Sequence, residues 1–129
     1  MPSHCSVTLV LSLALLSSVA SAEEVNQANS ERGKQLFKLL CEECHSAVPG
    51  TPGKDGPNLY GVFGRTAGTT VGCKYSAGMT HSNIVWNADT LDRWLSGPRK
   101  LIPGTKMAFE GFSDPVPRAA LIEYLKSLK

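Results

Sequence analysis

No stretch of this chain is apolar for long enough to cross a bilayer. Its one uncharged apolar run, Val7–Ala20 (VTLVLSLALLSSVA), is fourteen residues long, against the ~20 that a spanning helix needs. Excess charge of either sign is also missing. Lys plus Arg number 13 and Asp plus Glu 11, a balance of +2, too mild for nucleic-acid binding by bulk charge. No sustained β-alternation and no internal repeat is found, so no sheet is expected. A second Cys/His pair at zinc-finger spacing is absent as well, which excludes a structural zinc site. What remains is 129 residues, 42% hydrophobic and 19% charged, the composition of one small globular domain without a long disordered tail.

The apolar run ends in Ala20-Ser21-Ala22, small residues at the −3 and −1 places of a signal-peptidase site, followed by Glu23-Glu24. Residues 1–22 therefore read as a signal peptide cleaved after Ala22, although the first residues carry no Lys or Arg. An uncleaved anchor is the alternative. The working domain is then residues 23–129, and its expected location is the periplasm. Cys5 leaves with the leader, so Cys41, Cys44 and Cys73 remain. An odd thiol count in an oxidising compartment does not describe a disulfide framework. A bound cofactor is a better source of stability for so small a chain.

Three helices are expected, separated by Gly/Pro-rich loops. The first runs from about Ser30 to Glu43 with Asn29 or Ser30 as cap, and Leu36, Phe37 and Leu40 form its stripe. Gly33 lies one turn earlier on nearly the same face. A glycine there costs up to ~1 kcal/mol against alanine, which points to close approach of another helix. The second, Asn87–Ser96, carries Leu91, Trp94 and Leu95 and is stopped by Gly97-Pro98. The third, Asp114–Leu128, opens on prolines and carries Leu121, Ile122, Leu125 and Leu128. Between the first two lies Ser46–Trp86, a loop too long for a compact domain unless it wraps a ligand.

Cys41-Glu42-Glu43-Cys44-His45 is the attachment pattern of a c-type haem. Residues three apart at the end of a helical turn share a face, so both sulfurs can form thioethers with the two vinyl groups. The next residue then aims its imidazole at the iron. A redox Cys-x-x-Cys would want a βαβ context, and a plain disulfide would leave His45 unexplained. The sixth iron position has three candidates, His81, Met79 and Met107. The Pro103-Gly104 pair stiffens the loop before Met107, which favours it over the other two.

With those motifs in hand, the chain resembles a class I cytochrome c of the mitochondrial-type and bacterial cytochrome c2 group. The likeness spans Ser30–Lys129. It rests on Gly33-x-x-x-Phe37, Cys41-x-x-Cys44-His45, Gly56-Pro57-Asn58-Leu59 and Gly61-x-Phe63-Gly64-Arg65, then Tyr75-Ser76, Trp86, Pro103-Gly104-Thr105-Lys106-Met107-x-Phe109 and Leu121-Ile122-x-Tyr124-Leu125. The resemblance implies an all-α cytochrome c fold, three main helices and long loops wrapped around one covalently attached haem. It implies that Cys41 and Cys44 hold haem c, with His45 and Met107 as axial ligands. Pro57 would accept the Nδ1–H of His45. Tyr75, Ser76 and Trp86 would donate to a buried propionate, Arg65 would offset its charge, and Phe109 would cover the haem edge. Gly33 and Phe37 would cross Leu121 and Tyr124.

The sequence departs from the family at Leu40, often a cation, and at Glu42 and Glu43. Cys73 stands where an aromatic is common, Met79 replaces a polar residue, and Trp94 stands where a tyrosine is usual. The function implied is a soluble, exported, monomeric one-electron carrier rather than an enzyme, cycling Fe(II)/Fe(III). Its partners would be redox complexes: a cytochrome bc1-like donor and an oxidase or reaction-centre acceptor, with no nucleic acid. Lys38, Lys54, Arg99, Lys100 and Lys106 are the expected cationic rim for them. The alternatives are a haem enzyme or sensor with an open distal site, and an electron-accepting subunit dedicated to one dehydrogenase.

Overall fold

The computed structural model describes residues 16–129, with side chains from Ser21 onward. Most of the expected leader, including Val7–Leu15, lies outside the described residues. Five helices follow in order: α1 (Leu16–Leu40), α2 (Ala77–Thr80), α3 (Ala88–Ser96), α4 (Pro98–Leu101) and α5 (Pro115–Ser127). The three main helices of the sequence reading are α1, α3 and α5. No strand occurs among the described residues, and the single β-bridge joins Thr66 to Val85. No helix among them is long and apolar enough to cross a membrane.

Helix α1 corrects the expected first helix at both ends. It begins well before Ser30, because Glu23–Ala28 contains no glycine or proline and several good helix formers. Asn29 and Ser30 therefore lie inside a helix and are not caps. At the other end the helix stops at Leu40, and Cys41–Cys44 forms a separate turn. Leu40, expected on the buried stripe, is 53% exposed.

Two further differences are local. Gly97-Pro98 does not simply end α3. Gly97 caps its C-terminus, and Pro98 opens α4 at a first-turn position that needs no N–H donor. The single turn of α2 interrupts the long loop, with Ser76 Oγ accepting from Met79 N at 3.2 Å. Four residues are too few for a periodic signal.

The caps of the other helices follow the expected chemistry. Asn87 and Thr90 form a reciprocal capping box on α3, each backbone N–H donating to the other's side-chain oxygen at 2.9 Å. Asp114 Oδ1 accepts from Val116 N at 2.9 Å to start α5.

The scaffold is the crossing of α1 and α5. Phe37 and Tyr124 meet with ring centroids 5.5 Å apart. At the crossing point Gly33 lies so close to α5 that a Cβ would overlap the Ala120 carbonyl oxygen and come within 2.8 Å of Tyr124 Cβ. That contact is the compensation for a glycine in mid-helix. Leu121, Ile122 and Leu125 of α5 and Leu91, Trp94 and Leu95 of α3 complete the core.

Arg118 of α5 is the polar tie between these layers. Its Nε donates to Asp92 Oδ1 at 2.7 Å, and its Nη1 donates to the carbonyls of Phe112 and Ser113 at 2.8 and 3.0 Å. The Arg118 side chain is 12% exposed, so its partners lose far more than a surface pair would. Arg118→Met is expected to cost about 2 kcal/mol in urea unfolding. A loss below ~0.5 kcal/mol would mark the pair as ordinary surface chemistry.

Candidate functional site

The chain leaves α1 through a tight turn that carries the Cys-x-x-Cys-His residues. Cys41 N and Glu42 N both donate to Phe37 O, at 2.8 and 2.9 Å. Cys44 N and His45 N both donate to Cys41 O, at 3.1 and 2.8 Å. These bonds bring Cys41, Cys44 and His45 to the wall of one cavity of about 690 Å³.

The segment after the motif laces back onto it. Asp55 N and Gly56 N donate to Cys44 O, at 3.2 and 2.9 Å, and Leu59 N donates to Ser46 O at 2.8 Å. Asn58 Nδ2 donates to the Val48 and Thr51 carbonyls, closing the 48–58 loop. The result sets Pro57 O 2.8 Å from His45 Nδ1, which donates to it. This contact is the one that the resemblance implied.

Gly56 completes the cradle. A Cβ at this position would meet the imidazole at 2.5 Å from Cε1 and 2.8 Å from Nδ1. Gly56 belongs to the Gly-Pro-Asn-Leu motif, whose letters alone carry no sign of its place beneath the histidine. Burial pushes the His45 pKa below its ordinary value, and the bond to Pro57 partly opposes that. The ring is thus neutral, with its proton held on Nδ1 and Nε2 left as a bare donor atom. Burial, with the neighbouring Cys44 adding to it, pushes the Cys41 thiol up to about 11.

Met107 enters the cavity from another loop. Ile102, Pro103, Gly104 and Thr105 form a turn closed by Thr105 N donating to Ile102 O at 3.2 Å, with Gly104 at φ +80°. The positive φ calls for glycine at the third position, and proline suits the second. Met107 N then donates to Thr105 Oγ1 at 3.3 Å. Met79 also lines the cavity and is buried, whereas His81 is exposed and is not part of the wall. The three sixth-ligand candidates reduce to two thioethers.

Arg65, Tyr75, Ser76, Trp86 and Phe109 all line the same cavity. Trp86 is seated by the Thr66–Val85 bridge, with Gly64 N donating to its carbonyl at 2.6 Å. Its ring packs on Trp94, centroids 5.5 Å apart, and Phe109 packs edge-on against Phe112 at 5.0 Å. The guanidinium of Arg65 donates to the carbonyls of Asn58 and Tyr60 and to Thr70 Oγ1, at 3.1, 3.0 and 2.7 Å. Those neutral acceptors fix its direction without cancelling its charge. Ser76 accepts from Met79 N, which leaves its hydroxyl hydrogen free to donate elsewhere.

These side chains suit a haem. Two thiols and a neutral imidazole occupy one wall, thioethers are at hand, and the lining is mostly apolar with a fixed cation and hydroxyl donors at the loop 65–76 side. The cationic rim is weaker than the sequence suggested. Lys54 is paired with Glu43, and Arg99 Nη1 lies 2.8 Å from Glu110 Oε1. Of the five expected cations only Lys54 and Lys106 line the cavity, and Lys74 joins them there.

Comparison with known proteins gives the same direction. The family profile "Cytochrome c" matches residues 30–129. A cytochrome c of Cannabis sativa is 46% identical over 107 residues, which is 83% of this chain and 96% of that protein. A cytochrome c of Ulva intestinalis is 45% identical over 98 residues, 76% of this chain and 88% of its own. That of Euglena viridis is 45% identical over 101 residues, 78% of this chain and 98% of its own. These relatives come from eukaryotic cells, which have no periplasm, and they overturn the periplasmic location expected from the sequence.

Proposed function

The chain belongs to the cytochrome c family, whose members carry electrons between redox complexes on one covalently held haem c and are not enzymes, and from that premise we propose how its own residues do this. Cys41 and Cys44 hold the haem through thioethers, and His45 and Met107 ligate the iron. The observation that carries this reading is the arrival of all four side chains at one cavity, with His45 Nδ1 committed to Pro57 O. The haem supplies a one-electron Fe(II)/Fe(III) couple.

The protein's part is to set its environment. The bond from His45 to Pro57 fixes the ring's tautomer and orientation and raises its donor strength. The soft thioether of Met107 favours the reduced iron, as does the apolar wall of Trp86, Trp94 and Leu95, which excludes water. Tyr75, Ser76 and Trp86 hydrogen-bond a propionate, and the tethered guanidinium of Arg65 offsets its charge. Phe109 covers the haem edge.

The partners are a cytochrome bc1-like donor and an oxidase or reaction-centre acceptor, met as a soluble monomer. Because Lys54 and Arg99 carry internal partners, the rim left to attract them is small. The rate of reaction with a membrane oxidase should therefore fall by less than about tenfold between ~10 and ~150 mM salt. A far steeper fall would mean that the paired cations are released on docking.

Residues 1–22 are a leader removed after Ala22. Helix α1 then begins near Glu23 and keeps every contact with α5 named above. The intact mass of the purified protein tests this, since an uncut chain is heavier by the mass of the leader segment.

The spectrum tests the central reading. The pyridine haemochrome should report two thioethers, and the oxidised protein should show the methionine-to-iron charge-transfer band. A haemochrome with one thioether, or a missing band, would overturn the ligand set.

A further inference from the structure

Helix α2 and the turn that precedes Met107 are separated by the 21 residues between Thr80 and Ile102, yet their backbones meet. The contact is made at Gly78. A Cβ on Gly78 would lie 2.9 Å from the Pro103 carbonyl oxygen and 3.2 Å from Ile102 Cγ2. Real Cβ atoms essentially never come that close to backbone, so any side chain at this position must move one of the two elements.

Neither element has slack to give. On its other side α2 is pressed by Gly68, whose own Cβ would come within 3.0 Å of Met79 O. Ser76 holds the start of the helix by accepting from Met79 N. Across the contact, Ile102 is 3% exposed and closes its turn through the bond from Thr105. Lys106 Nζ reaches Lys74 O at 3.4 Å, a second tie between the Met107 loop and the segment leading into α2.

We propose that Gly78 is a positioning residue for Met107: by lacking a side chain it lets α2 seat against the Pro103 carbonyl and brace the turn from which Met107 enters the cavity. This rests on the reading of Met107 as an iron ligand. The bracing acts through backbone four residues from the thioether. A displacement there changes how firmly the sulfur is held.

Helix propensity and packing give opposite signs at this site. Within a helix, alanine is preferred to glycine, so in open space Gly78→Ala would raise the melting temperature. Bracing predicts the reverse in the loaded protein. Gly78→Ala should weaken the methionine-to-iron band and raise the affinity for cyanide by about threefold to tenfold, in the lower part of the range for coupled neighbours, and Gly78→Val should do so more strongly. Asn87→Ala, which removes the cap of α3, serves as the control that lowers the melting temperature without touching this contact.

The proposal is supported if the Gly78 variants shift the band and the cyanide affinity while Asn87→Ala leaves both as in the wild type. It is overturned if Gly78→Ala keeps the wild-type band and cyanide affinity. It is equally overturned if Asn87→Ala shifts them as much, since the effect would then be one of general stability. A wild-type protein without the band would instead bring down the Met107 reading itself, and the bracing with it.

Discussion

Replacing Met107 by alanine is expected to lower the reduction potential by roughly 0.2–0.3 V, a fraction of the ~0.8 V that axial ligands command in haem proteins. The cause is the loss of a soft, weakly donating sulfur that stabilises Fe(II) more than Fe(III). The same variant loses the methionine-to-iron band and binds cyanide readily at neutral pH, because the iron gains an accessible position. Potentiometry and a cyanide titration read both effects. Met79 makes the experiment discriminating, since it too is a buried thioether on the cavity wall. Under the proposed ligation Met79→Leu keeps the band, the volume and most of the potential. If Met79→Leu abolishes the band and Met107→Ala does not, the two methionines exchange roles.

Gly33→Ala is expected to destabilise the protein by about 3 kcal/mol, at the upper end of overpacking costs. For a domain near a hundred residues that corresponds to a fall in Tm of roughly 12–20 °C. Propensity alone would stabilise α1 by ~0.5–1 kcal/mol. The added methyl, however, overlaps the Ala120 carbonyl oxygen and sits 2.8 Å from Tyr124 Cβ. Two helix backbones must part to admit it, and the Phe37–Tyr124 ring contact parts with them. Urea unfolding of the loaded protein measures the loss. A variant as stable as wild type would show that α1 can slide along α5 without penalty.

Much of the site was legible because its chemistry is local. Cys41, Cys44 and His45 reach one wall through a single turn, so their spacing carries the information. Asn87 and Asp114 were legible as helix starts for the same reason: a cap bonds within three residues of itself. Gly33 could be read as an anomaly whose explanation had to lie elsewhere in the chain.

The parts that escaped depend on pairs distant in sequence or on weak local preferences. The ion pairs that occupy Lys54 and Arg99 each span eleven residues, and no periodicity encodes them. Gly56 gave a motif letter, but its place under the imidazole exists only once the loop is laced to Cys44 O. The start of α1 lies upstream of the local cap signal because Asn29 and Ser30 cap a helix only when the preceding residues are not helical. Here Glu23–Ala28 propagates it instead. Location was the plain error, since an apolar N-terminal run says nothing about which kind of cell reads it.

The crossing of α1 with α5 joins the two ends of the domain and leaves everything between them as spans hung from a clasp. A single protease cut beside the exposed Val71 and Gly72 would therefore sever the chain without opening the clasp, one helix staying on each fragment. Cys41, Cys44 and His45 would remain on the N-terminal piece and Met107 on the C-terminal one. Separated and remixed, the two pieces carry the means to find each other, and reappearance of the methionine-to-iron band would report the moment that they do.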